Sequence, residues 1–226
     1  MAGGMIAFDS AGSSAPGYFA TPETGTGPGV VVLHEWWGLT DTIKRACDQL
    51  AASGFPALAP DMYRGKTTDS VEEADALGSA LDQNEAQWRG DITGALSYLR
   101  EHGASGPFGF VAFSLGGSYA LDMSIRLADE IAAVATFYAT YPGLDYHDAR
   151  AAYLCHFAAN DQFIPAEDAA EMERSLRAAG RPVTTYTYPG TKHWFFDAHR
   201  PVEYDPATAS LAWERTVAFL RAELRK

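Results

Sequence analysis

The sequence predicts an α/β protein with a mostly parallel central sheet and helices on both faces. Apolar runs of strand length alternate with helical patterns along the whole chain, the signature of such a sheet. Val30-Val31-Val32-Leu33 is continuously apolar, as a strand covered on both faces requires. The 226 residues, 47% of them hydrophobic, are enough for one sizeable core, so residues 1–226 are read as one domain.

Each element has its own signal. Ile6-Ala7-Phe8 and Gly17-Tyr18-Phe19-Ala20 read as two short strands joined by a glycine- and serine-rich turn. Pro28-Gly29 punctuates the entry to the Val30–Leu33 strand. Thr40-Asp41 opens a helix carrying Ile43, Ala46, Leu50 and Ala51 on one face, and Gly54 stops it. Phe55 to Ala59 is the next strand, ending at Pro60-Asp61. Helices follow over about Ser70 to Asp82 and Asn84 to His102, the second closed by Gly103. Phe108 to Phe113 is a strand running into Ser114, with helix-like sequence from Ser118 to Met123. Ile131–Phe137 and Ala152–Phe157 are further strands, and Pro165 initiates a helix after the second. Val183–Tyr188 alternates like a strand, and a last helix covers about Pro206 to Arg225.

Composition excludes several functions. The net charge of −12 is evenly spread, without the basic stripe that a nucleic acid backbone demands. No apolar run approaches the ~20 residues that span a bilayer, and Met1 to Met5 lacks the basic and apolar pattern of a secretory leader. A cytoplasmic protein, monomeric or a small homo-oligomer, is expected. Cys47 falls in a helical pattern and Cys155 in an apolar strand, so both read as buried thiols rather than a disulfide. Cys155 and His156 are adjacent but face opposite sides of a strand, a poor chelate. Neither a metal nor a cofactor is expected.

In open α/β sheets, function gathers at the carboxyl ends of strands. Those ends carry His34-Glu35-Trp36-Trp37, Asp61-Met62-Tyr63, Ser114, Tyr138 to Tyr141, Asn160-Asp161 and Lys192-His193-Trp194. The stretch Ala112-Phe113-Ser114-Leu115-Gly116 is a near match to Gly-x-Ser-x-Gly, with alanine for the first glycine. A serine on a strand-to-helix turn projects its hydroxyl outward, where the first N–H groups of the helix face whatever binds it. By itself the motif also fits an ordinary turn with a solvated serine.

Partners elsewhere raise its weight. A serine hydroxyl needs a base within hydrogen-bond reach. Of six histidines, His193 alone follows a strand and Pro189-Gly190 and precedes an aromatic run, although a surface loop histidine fits the same position. Asp161 would fix the imidazole tautomer and stabilise the imidazolium. It equally fits a turn residue ahead of the Pro165 helix. The oxyanion hole is expected to use the backbone N–H of Leu115 with a second donor from the loop after Leu33, Trp36. Trp36 and Trp37 fit core packing as well. Tyr63, Trp88, Phe113, Tyr138, Tyr141 and Trp194 join Trp37 as candidate aromatic contacts to substrate.

The segments Val-Val-Leu-His-Glu-Trp-Trp-Gly-Leu, Phe-Ser-Leu-Gly-Gly, Ala-Asn-Asp-Gln-Phe-Ile-Pro and His-Trp-Phe-Phe-Asp, followed by Trp213-Glu214-Arg215-Thr216, resemble the dienelactone hydrolase family. The likeness runs in order over nearly the whole chain. It implies an α/β-hydrolase fold without a separate cap domain, acting on small esters or lactones. It also carries onto Glu35 a glutamate that contacts the nucleophile in the family's resting site. Two departures stand out. The family's usual nucleophile is cysteine, and here Ser114 replaces it. A thiol can be held as thiolate, whereas a serine loses its proton only during attack. Glu35 is then read as orienting Ser114 or a water, or as anchoring the Trp36 loop. Secondly, family members taking the anionic dienelactone resemble one another in an arginine shortly after the histidine, and here that position is Asp197. Arg64, Lys66 and Lys192 read first as solvated surface charges. Neutral short-chain or aryl esters are therefore expected over dienelactone, with an acyltransferase or a catalytically silent binding fold as the alternatives.

Overall fold

A computed structural model describes residues 3–225; Met1 and Ala2, part of the N-terminal stretch read above, and Lys226 lie outside the described residues. The described residues form eight strands and six helices in two compact units that divide between Phe108 and Gly109.

The first unit contains β1 (Gly4–Ser10), β2 (Ser13–Ala20), β3 (Val30–Leu33), α1 (Asp41–Ala52), β4 (Ala57–Pro60), α2 (Val71–Asp82) and α3 (Glu85–Glu101). Its strand order is β1-β2-β4-β3. The β1–β2 hairpin is antiparallel, with Ala11 and Gly12 both at positive φ in the tight turn. β2 pairs antiparallel with β4, and β4 pairs parallel with β3. Every residue of β3 and β4 is buried, as expected for strands with helices on them. Helix α1 packs on β2, β3 and β4, and α3 packs on β1, β3 and β4.

The second unit contains β5 (Phe108–Phe113, its first residue at the boundary), α4 (Leu115–Arg126), β6 (Ile131–Phe137), β7 (Ala152–Asn160), α5 (Ala166–Ala178), β8 (Val183–Lys192) and α6 (Pro206–Leu224). Its strand order is β5-β6-β7-β8, with β6, β7 and β8 parallel. Helix α4 packs on β6, α5 on β8, and α6 on β6 and β7.

Several elements run further than their sequence patterns suggest. β1 and β2 reach Ser10 and Ser13 on either side of a two-residue turn, α4 spans Leu115 to Arg126, and β7 and β8 lengthen at their carboxyl ends. β7 continues past Phe157 to Asn160. β8 continues past Tyr188 through Pro189-Gly190 to Lys192, with a register irregularity opposite Ala158 to Asn160. Gly190 sits at φ 78°, and Pro189-Gly190 forms a bulge that re-aims the strand instead of ending it. The bulge carries the strand to the residue before His193. Cys47 and Cys155 are both free and buried. Burial pushes the Cys47 thiol up and the Cys155 thiol up to about 12, so neither is a thiolate at neutral pH. Among the described residues no helix is long and apolar enough to cross a membrane.

Candidate active site

Strand β5 ends at Phe113 and helix α4 begins at Leu115, so Ser114 alone makes the turn between them. Its backbone lies at φ 47°, ψ −117°, a region L residues rarely adopt. The surroundings hold it there. Ser114 N–H donates to the Phe137 carbonyl at 3.0 Å, and Gly117 N–H donates back to the Ser114 carbonyl at 2.8 Å. Gly117 has to lack a side chain, because a Cβ there would run into the Ala139 methyl just beyond β6. Leu115 N–H heads α4, among the first-turn donors that no helical carbonyl can reach.

Ser114 Oγ is 2.9 Å from His193 Nε2. On the other side of the ring, His193 Nδ1 lies 2.9 Å and 2.8 Å from the two Asp161 carboxylate oxygens. An ionised carboxylate only accepts, so Nδ1 carries the hydrogen, Nε2 accepts, and the Ser114 hydroxyl donates to it. The His193 and Asp161 side chains are each only 3% exposed. Asp161 also accepts from the backbone N–H groups of Phe163 at 2.8 Å and Ile164 at 3.0 Å. The two sequence readings of Asp161, turn former ahead of α5 and partner of the histidine, therefore coexist in one side chain. The turn fixes the carboxylate, and the carboxylate fixes the imidazole.

Aromatic rings surround this relay. Tyr138, at φ 41°, lies with its ring centroid 4.7 Å from that of His193, and its N–H donates to the His156 carbonyl at 2.7 Å. Phe163 approaches the imidazole to 4.9 Å, and Trp194, at φ 65°, meets it edge-on at 4.8 Å. Arg200 places its guanidinium 5.3 Å from the Trp194 ring. Phe163 was not among the aromatic residues singled out from sequence. Its signal is the Asp-x-Phe spacing of an Asx turn, which places the phenylalanine N–H on the carboxylate.

The other predicted aromatic contacts differ in what they present. Phe113 is wholly buried against Phe137 at 4.7 Å and Phe196 at 5.1 Å, so it offers no surface to solvent. Tyr141 is 41% exposed, and Trp194 is buried. Asp197 is also buried, its Oδ1 accepting from His199 N–H at 3.0 Å.

The remaining candidates belong to the first unit. Glu35 and Trp37 are buried and Trp36 is half-buried, in the loop after β3. That loop is pinned by His34, whose Nδ1–H donates to the Glu35 carbonyl at 2.8 Å while Nε2 accepts from Met62 N–H at 3.2 Å. One imidazole thus ties the loop after β3 to the loop after β4, where Tyr63 stands 4.8 Å from it ring to ring. Burial drives His34 below the ordinary histidine range, so it serves as a neutral connector. Tyr63 and Trp88 are buried. Arg64 is committed within its own unit: both terminal nitrogens pair with the buried Asp91 carboxylate at 2.8 Å, and one also donates to the Asp61 carbonyl. No group of three or more His, Cys, Asp or Glu among the described residues is arranged to hold a metal ion.

A profile of the dienelactone hydrolase family matches residues 15–224. The chain is 33% identical to "Protein usf" of Aquifex pyrophilus, across 98% of this chain and 99% of that one. It is 27% identical to a carboxymethylenebutenolidase of Rhodococcus opacus, across 92% of this chain and 86% of that one. Among solved structures it resembles m3DLH with a TM-score of 0.87 at 24% identity, covering 98% of both chains, which speaks for the α/β-hydrolase fold. The profile spans both compact units with strands and helices in the order the sequence predicts, and on that evidence the chain belongs to the dienelactone hydrolase family of carboxylic ester and lactone hydrolases.

Proposed function

We propose that this protein hydrolyses small uncharged carboxylic esters or lactones through an acyl-enzyme on Ser114. The observation that carries the reading is the unbroken series Ser114 Oγ, His193 Nε2, His193 Nδ1 and Asp161, with each contact between 2.8 and 2.9 Å. Ser114 Oγ attacks the acyl carbon while His193 Nε2 takes its proton. The carbonyl π bond opens onto oxygen, and the resulting oxyanion is held by Leu115 N–H, with Trp36 N–H in the loop after Leu33 as second donor. Collapse expels the alkoxide, which takes the proton from His193. Water then repeats the sequence on the acyl-enzyme and releases the acid. A lactone substrate opens to a single hydroxy acid by the same steps. Asp161 stays ionised throughout and stabilises the imidazolium. Glu35 orients Ser114 or the incoming water.

The preference for uncharged substrates rests on three features. Asp197 occupies the position of the family's anion-binding arginine, Arg64 is already committed to Asp91, and the chain carries a net charge of −12.

The test combines p-nitrophenyl acetate turnover with labelling by a fluorophosphonate. The parent is expected to show turnover and one label, and Ser114→Ala to lose both, with kcat/KM down by roughly 10³-fold or more. Glu35→Gln is expected to lower kcat, and unchanged turnover would remove Glu35 from the reaction. No turnover and no label in the parent would assign the chain to a silent binding fold. An inactive parent with an active Ser114→Cys would make the serine a lesion on a cysteine enzyme.

A further inference from the structure

Hydrogen bonds to Ser114 and Asp161 fix the His193 ring along the line between them, but they do little to stop it tilting or sliding out of its own plane. Once the ring has taken the serine proton, aromatic rings beside it can add to the stabilisation that Asp161 gives. Both roles suit the aromatic rings around it. Tyr138 and Phe163 stand 4.7 and 4.9 Å from the imidazole centroid, tilted by 54° and 59°, and the Trp194 ring meets it at 88°. All three are inside the ~6 Å range over which an aromatic ring attracts a cation.

Phe163 is the unusual member. Tyr138 and Trp194 are buried and contribute to packing, whereas Phe163 is 41% exposed. Its backbone N–H holds Asp161 Oδ1 at 2.8 Å while its ring contacts His193 at 4.9 Å and Trp194 at 5.0 Å. One residue thus touches the acid through its main chain and the base through its side chain.

We propose that Phe163 is a positioning residue whose ring holds the His193 imidazole in line and favours its cationic form during acyl transfer, a role that rests on His193 being the base of the Ser114 reaction. The ring lends its negative face to a charge that exists only after Ser114 has given up its proton. The contribution is therefore larger in the transition state than in the resting enzyme, which is the condition for raising kcat.

The main-chain and side-chain roles can be separated, because every side-chain substitution at 163 except proline keeps the N–H on Asp161. Kinetics with p-nitrophenyl acetate would be measured for Phe163→Tyr, Phe163→Leu and a series carrying mono-, di- and trifluorophenylalanine at 163. Fluorination keeps the size of the ring while draining its face of electron density. The expectation is that Phe163→Tyr stays near the parent, Phe163→Leu loses roughly 3- to 30-fold in kcat with KM within about twofold, and kcat falls stepwise with each fluorine. A flat fluorine series overturns the proposal, as does a Phe163→Leu effect confined to KM, which would make the ring a substrate contact. Fluorophosphonate labelling of the parent separates the two levels. A labelled, active parent with a flat series refutes the Phe163 role alone, and a parent that neither labels nor turns over refutes both.

Discussion

At the scale of single residues, the most informative feature is the backbone of Ser114. A residue at φ 47°, ψ −117° with a Cβ carries a steric cost of order 1–3 kcal/mol that glycine would not. That cost is borne by the hydrogen bonds to Phe137 and Gly117 and by the close approach of Gly117 to Ala139. Ser114→Gly and Ser114→Ala both delete the hydroxyl, so the comparison between them isolates the strain. Ser114→Gly is expected to be more stable than Ser114→Ala by about 1 kcal/mol, after allowance for the greater freedom of glycine in the unfolded chain. Urea midpoints at constant m would measure it, and a Ser114→Gly midpoint below that of Ser114→Ala would mean the turn is unstrained. The same scale explains what could be read in advance. Ser114, Asp161 and His193 each sit beside local punctuation: a glycine pair, a turn before Pro165, a Pro-Gly step. The Asp-x-Phe spacing marks where the Phe163 N–H goes but not where its ring goes, and His34 has no local marker at all. A phenylalanine in a loop looks like any apolar residue, and its placement on His193 depends on residues 30 positions away along the chain.

At the scale of elements, the helix starts were the most legible, because their chemistry is local. Ser70 accepts from Glu73 N–H, Asn84 from Gln87 N–H, and Asp205 from Thr208 N–H, each the N-cap pattern visible in the sequence. Strand ends were less legible. Pro189-Gly190 has the composition of a turn, and only pairing with β7 across the irregularity at Ala158 to Asn160 makes it part of β8. The order of strands was not legible either, since β4 lies between β2 and β3 and nothing in a single strand's sequence encodes its neighbour. Among the caps, Asp205 carries the most weight. Its side chain accepts from Thr208 N–H at 2.8 Å, its own N–H donates to the Phe195 carbonyl at 3.0 Å, and Pro206 follows as the first helical residue. The cap therefore ties the start of α6 to the segment that carries His193. Asp205→Ala is expected to cost about 1 kcal/mol in chemical denaturation, and Asp205→Asn only a few tenths. Equal losses for the two would show that the carboxylate charge, and not its hydrogen bond, supports the helix.

At the scale of the whole molecule, the buried histidines set the response to acid. His156 lies in β7, where Nε2 is 3.0 Å from Thr216 Oγ and Nδ1 is 2.8 Å from the Tyr188 hydroxyl. Thr216 already donates to the Ala212 carbonyl, so it accepts from His156 Nε2–H. Nδ1 must then accept from Tyr188, whose oxygen in turn accepts from Arg215 at 3.2 Å. Nδ1 is thus occupied by the Tyr188 hydroxyl hydrogen, which a second proton on His156 would have to displace. Burial, with the nearby Arg215 charge adding to it, drives the group down from 6.5 to about 3. The unfolded chain, with an ordinary histidine, binds that proton first. Stability from this site is therefore fully present above about pH 6.5 and is lost progressively as the pH falls from there toward about 3, by roughly 1.4 kcal/mol for each pH unit. His34, lowered by burial in the same direction, adds to the slope. Urea unfolding at intervals between pH 7 and pH 4 is expected to show this decline. His156→Gln, which cannot take the proton, should begin less stable at pH 7 and lose less on acidification, so that the two curves converge. Parallel curves would mean that His156 is protonated equally in both states and that the acid sensitivity of the molecule arises elsewhere.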